Sequence, residues 1–257
     1  MQLLNLLRAN TRKEYLELKR YLPNTLAMMF TFYILFVGMF MGIQFIGDPS
    51  AQDVNTQFVI VNYIFWFLAM MVVNDIGFVV MNEAMRGTLE QLCMSPMGLW
   101  RIMVSRLLAT TTLNFFIIIV LLYLSMLTAD QWLNVDLVAI MPILILTLIS
   151  MFGLGFMVAG ISIIVKQIQA FLQILQFILA GLTFVPLSVA PALAYFPFVK
   201  GVDLIRDVMI NGTTLSQIGW GDFGILAVNA VVYFTLGLAF FLYCERIAMK
   251  KGLLSHY

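Results

Sequence analysis

Hydrophobic positions in this chain gather into six runs, at residues 24–46, 58–80, 107–127, 137–165, 168–186 and 223–243, separated by mostly short polar connections. Each run approaches or exceeds the roughly 20 apolar residues that a helix needs to cross about 30 Å of hydrocarbon. Lipid offers no partner for a backbone N–H or C=O, so a crossing segment must be helical or part of a closed barrel. Barrel strands alternate apolar and polar positions, and these runs do not. The pattern therefore predicts an all-α integral membrane protein, a single transmembrane domain over residues 1–257 with six transmembrane helices.

The stretches between and before the runs are also patterned. In residues 1–22, Leu4, Leu7, Thr11, Tyr15, Leu18 and Leu22 recur at helical spacing with Arg12, Lys13, Glu17 and Lys19 interleaved. That predicts an amphipathic elbow helix lying in the membrane interface with its basic face toward headgroups, the alternative being a solvated helix. Pro23 suits the break between this helix and the first crossing. A turn near Lys166-Gln167 is too short for anything but antiparallel neighbours, and Gly153, Gly155 and Gly160 in the fourth run favour close backbone packing. Between the fifth and sixth runs, Pro186, Pro191 and Pro197 cut an apolar stretch into pieces too short to cross. Residues 187–222 are thus expected to form an external re-entrant hairpin and loop, two short helices followed by an amphipathic piece at 199–210, since non-spanning backbone at membrane depth must be shielded by protein.

Composition agrees: 62% of residues are hydrophobic and 11% charged, against about a quarter charged in soluble domains. All but two of the 14 Lys and Arg residues fall on one side of the predicted topology. The exceptions, Lys200 and Arg206, precede the last run. Basic residues near span ends are held in the cytoplasm, so both termini are expected there. Arg8, Arg12 and Lys13 interrupt any signal-peptide core, which leaves the first run as a retained anchor. Cys93 and Cys244 fall on the cytoplasmic side, where thiols stay reduced.

Several chemistries are excluded. The one histidine, His256, lies at the C-terminus, which removes His-ligated metal sites and Ser-His hydrolysis inside the membrane. No catalytic or metal-ligating set is expected, and nothing suggests nucleic acid as a partner. The chain has no Gly-x-x-x-x-Gly-Lys-Ser/Thr phosphate loop, so ATP hydrolysis would have to come from another polypeptide. Asp75 is the one ionisable residue within a run; it reads either as a functional intramembrane acid or as an interfacial one capped by Asn74 or Asn82.

The polar segment between the second and third runs, within residues 81–100, is the most informative. It reads Glu83-Ala-Met-Arg-Gly-Thr-Leu-Glu-Gln-Leu-Cys-Met-Ser-Pro96. Thr88 and Gln91 have the spacing of a capping box, Gly87 supplies a joint, and Ser95-Pro96 ends the helix because the residue before proline avoids α geometry. A helix of about two turns is expected, presenting Leu89, Glu90 and Leu92. This signature resembles the coupling helix of type-2 ATP-binding-cassette exporter permeases, and the likeness extends over the elbow, six spans, re-entrant hairpin and basic tail. The resemblance implies that Glu83, Gly87, Thr88, Leu89, Glu90, Leu92, Ser95 and Pro96 seat in a cleft of a nucleotide-binding ATPase subunit. Met85-Arg86 departs from the pattern, which often has a second acid before the glycine.

The same resemblance implies a dimer of permease subunits, homo- or heteromeric, in the plasma (inner) membrane of a bacterium. No cofactor would sit on this chain, ATP and Mg being bound by the partner. Gln169, Gln173 and Gln176 form an amide stripe on the fifth run, and Asn62 and Trp66 lie one turn apart on the second. These five are candidates for the translocation path or the dimer seam. A hydrophobic or amphipathic small molecule is the expected cargo, with a lipid-linked polysaccharide or teichoic acid as the alternative. A non-transporting scaffold or sensor that recruits an ATPase is the reading from a different class.

Overall fold

A computed structural model of the chain describes residues 2–46, 51–165 and 167–252; Lys166 and His256 lie outside them. Nine helices follow one another among the described residues: α1 (Gln2–Arg20), α2 (Leu22–Ile46), α3 (Gln52–Met85), α4 (Leu89–Cys93), α5 (Leu99–Ala129), α6 (Leu137–Val165), α7 (Gln169–Phe184), α8 (Val199–Asn211) and α9 (Trp220–Lys250).

Five of these, α2, α3, α5, α6 and α9, are long and apolar enough to cross a membrane. The fifth predicted span is shorter than expected. Helix α7 has 16 residues, a rise of roughly 24 Å, and ends where Val185 turns extended before Pro186. The break between the first two helices falls at Tyr21, and Pro23 occupies the first turn of α2. A proline is tolerated there because its missing N–H would have had no intrahelical acceptor.

Helix α3 is the hub. It is buried along most of its length and packs against α2, α5, α6, α7 and α8, whereas α2 is open to the surroundings on nearly every side. Helices α6 and α9 make the closest approach. A Cβ added at Gly153 would overlap the Tyr233 carbonyl, and one at Gly237 would overlap the Gly153 carbonyl. The expected close packing by small residues brings backbone against backbone at this pair, and Gly155 and Gly77 bring α6 and α3 together through side chains.

At the opposite end from α4, the region before α9 differs from the expected pair of re-entrant helices. Residues 187–198 carry a single 3-10 segment, Pro191–Tyr195, and the amphipathic piece is α8. Three contacts clamp α8 down. The Phe198 N–H donates to Ser150 Oγ at 3.0 Å, Gly201 lies so close to Thr147 that no side chain would fit, and Arg206 Nη1 donates to Asn62 Oδ1 at 3.2 Å. Phe198 adopts φ 60, a left-handed conformation uncommon outside glycine, with its ring fully buried. The two basic exceptions to the charge rule are neutralised here. Lys200 pairs with Asp222 at 2.8 Å and Asp203 at 3.8 Å, and Arg206 pairs with Asp203.

Candidate functional site

The α3–α5 connection is a rigid knob. Helix α3 ends at Met85, Gly87 takes φ 70 to reverse the chain, α4 makes little more than one turn, and Gly98 at φ 76 admits α5. The helix has five residues, shorter than the expected two turns of roughly seven. Its expected capping box is also absent, because Thr88 sits in the α region and its hydroxyl turns back to donate to the Glu83 carboxylate. The charge-assisted bond in which the hydroxyl donates to the carboxylate holds its oxygen turned away from the helix, where it accepts no N–H. The other Glu83 oxygen accepts from Arg106 Nη1 at 2.7 Å. Glu83 therefore ties the start of α4 to α5 with little of its side chain exposed, instead of presenting itself to a partner.

Leu89 is likewise corrected: it is 1% exposed and belongs to the common hydrophobic core. A five-residue helix cannot hold its own shape, so its one fully buried leucine anchors it. Leu92 and Ser95 are half-buried, while Gly87, Glu90 and Pro96 are exposed. The open surface includes Met85, Arg86, Glu90, Gln91 and Met94, with Met94 71% exposed. Cys93 is half-buried, and its thiol is pushed up to about 12 by burial and, secondarily, by the nearby Glu245 and Glu90 carboxylates.

Asp75 finds its partner across the fold. Asn114 Nδ2 of α5 donates to Asp75 Oδ2 at 2.8 Å, replacing the expected cap from Asn74 or Asn82. The two line a cleft of about 350 Å3 with Glu14, Glu17, Tyr21 and Asn24 from the first two helices and the break between them. Burial, with the charge of Glu17 adding to it, raises the Glu14 carboxyl above its usual range.

The proposed path or seam residues divide into two groups. Gln169 and Gln173 are exposed on α7, Gln176 is half-buried, and Phe171, Ile174 and Phe177 share the open surface of this helix. Trp66 joins this side, since its Nε1 donates to the Gln176 carbonyl at 3.1 Å and its ring meets Phe32 and Phe184 edge-on. Asn62 does not. It is fully buried beneath α8, its carbonyl taken by Arg206, whose guanidinium also lies 4.8 Å from the Phe58 ring centroid. No spacing in the α3 sequence distinguishes the two environments.

Arg106, Asn114 and Arg206 were not singled out as site residues from the sequence. A signal existed for Arg106: helices joined by a short connection run antiparallel, so a carboxylate at the end of one and a cation at the start of the next stand level. No group of acidic, histidine or cysteine residues that could hold a metal occurs among the described residues.

Comparison with known proteins gives one finding. A family model described as "ABC-2 family transporter protein" matches residues 47–239, from just before α3 into α9. Neither curated proteins nor solved structures gave a match.

Proposed function

The chain belongs to the ABC-2 family of transporter proteins, and from that premise we propose that it is the membrane-spanning permease subunit of an ATP-driven exporter, moving a hydrophobic or amphipathic small molecule outward. Two such subunits would enclose the path, each seated on a separate ATPase subunit that binds ATP and Mg. Both termini would face the cytoplasm, with α1 as the interfacial elbow, α7 as the short fifth of six crossings and the proline-rich segment after it on the external side. The basic residues around α1, α4 and the end of α9 support that orientation.

The observation that carries the reading is the construction of the α4 knob. It joins two long helices end to end, is pinned to α3 and α5 through Glu83, Thr88 and Arg106, and leaves Glu90, Gln91 and Met94 open. A push on that surface is transmitted to both helices rather than absorbed by the loop. The aromatic and amide surface formed by Trp66 and α7 favours an amphipathic cargo over a strongly polar one.

The test is Glu90→Arg in proteoliposomes holding the permease and its ATPase. ATP hydrolysis should persist while export falls to background. Normal export by that variant would overturn the docking assignment, and ATPase recruitment with no transport of any compound by the wild type would leave the scaffold reading in its place.

A further inference from the structure

Helix α1 sorts its charges onto two flanks. On one, Glu14 and Glu17 line the cleft that contains Asp75. On the other, Leu4, Arg8, Arg12 and Tyr15 recur at intervals that place them on one helix face. Together with Leu7 and with Leu113 of α5 they line a separate open groove of about 840 Å3. Neither Arg8 nor Arg12 has a carboxylate partner among the described residues, whereas Lys13 pairs with Glu17 at 3.6 Å and Arg106 with Glu83. Two guanidinium groups one turn apart thus line an open groove that they share with the polar Asn5 and Thr11 and with the apolar Leu4, Leu7 and Leu113.

The lining identifies the occupant. Arg106, the last charged residue of α5 before its apolar run, lies seven positions from Leu113, roughly 10 Å along the helix axis. The groove therefore runs from two guanidinium groups to leucines of both helices where the apolar run of α5 begins. A bare phosphate would leave the leucine walls uncovered, whereas a molecule with an anionic head and apolar chains meets both kinds of wall. The planar donor fork of arginine matches a phosphodiester, and tyrosines favour the membrane–water boundary.

We infer that this groove binds an anionic phospholipid of the cytoplasmic leaflet, with Arg8 and Arg12 holding the headgroup phosphate and Leu4, Leu7 and Leu113 lying against the acyl chains. The inference rests on the membrane-edge placement of α1 in the permease reading. It makes the elbow a lipid-anchored strap over α5, the helix that begins at the coupling knob.

The test is binding of phosphatidylglycerol to the full-length purified chain in mild detergent, counted by native mass spectrometry and titrated against phosphatidylcholine. The wild type should retain phosphatidylglycerol selectively, and R8Q/R12Q should bind it about 30-fold more weakly. The control K19Q/R20Q removes two cations of the same helix that do not line the groove, and should bind as the wild type does. Arg8→Lys with Arg12→Lys keeps the charge without the planar fork and should recover part of the affinity, binding more tightly than R8Q/R12Q, which separates loss of the site from loss of folding. Undiminished binding by R8Q/R12Q overturns the inference, as does an equal loss in the control, which would mean diffuse surface attraction. Complete displacement by millimolar inorganic phosphate would reduce the site to a bare anion site and also overturns it. No ATPase or cargo enters this measurement, so its failure and that of the coupling assignment are distinguishable.

Discussion

Removing the Glu83 carboxylate should loosen α4 without unfolding the helices around it. In Glu83→Ala, the Arg106 guanidinium loses its 2.7 Å acceptor and Thr88 loses the carboxylate to which it donates. Arg106 Nε already has no partner, so the cation would be left bare. The side chains of Arg106 and Glu83 are 14% and 16% exposed, which places the pair between the exposed limit of about 0–1 kcal/mol and the 3–5 kcal/mol cost of breaking a fully buried one. A value near 2 kcal/mol corresponds to about a 30-fold rise in the local opening equilibrium. Glu83→Gln keeps an acceptor for Arg106 while losing the charge, and should cost roughly 1 kcal/mol. Hydrogen–deuterium exchange of peptides covering residues 86–98 measures the opening directly. Faster exchange there should be ordered alanine, glutamine, wild type, with the peptides of α6 and α9 unchanged. Equal protection of the α4 amides in wild type and Glu83→Ala would refute the pin.

Two further outcomes follow from packing and burial. Gly153→Ala forces a Cβ onto the Tyr233 backbone, which cannot swing aside as a side chain would, so α6 and α9 must separate at a cost of roughly 1–3 kcal/mol; thermal unfolding in detergent should drop clearly, while Gly181→Ala, with nothing within 4 Å, should leave the midpoint unchanged or raised. Cys93, with its thiol raised to about 12, should carry on the order of one thiolate in 10,000 at pH 8; its alkylation by iodoacetamide should be roughly 1,000-fold slower than that of a small free thiol and should quicken about tenfold per pH unit, and a rate matching the free thiol would contradict the burial.

The coupling segment shows how far sequence reasoning reached and where it stopped. Its place between two apolar runs, the Gly87 joint and the stop at Ser95-Pro96 are readable from the sequence, because each depends on neighbours close in the chain. The direction of the Thr88 hydroxyl is not. The local pattern Thr88 to Gln91 favours a forward cap, and the fold overrides it by bringing Arg106 to the far side of Glu83 and fixing a carboxylate where the hydroxyl can reach it. Leu89 and Glu90 stand side by side in sequence, yet one is buried and the other open, and only the position of α3 and α5 decides which.

The sequence determined that the protein is helical and membrane-spanning, where most of its long helices lie, and which of its segments are charged. Lipid imposes those properties residue by residue, since a crossing stretch must be apolar and internally hydrogen-bonded whatever surrounds it. Tertiary structure alone decided which polar groups meet: Asp75 with Asn114, Arg206 with Asn62, Gly153 with the backbone of α9. Such pairings depend on which helices become neighbours and at what rotation. An apolar helix carries little trace of either, because all its faces are nearly alike to the solvent that selected them.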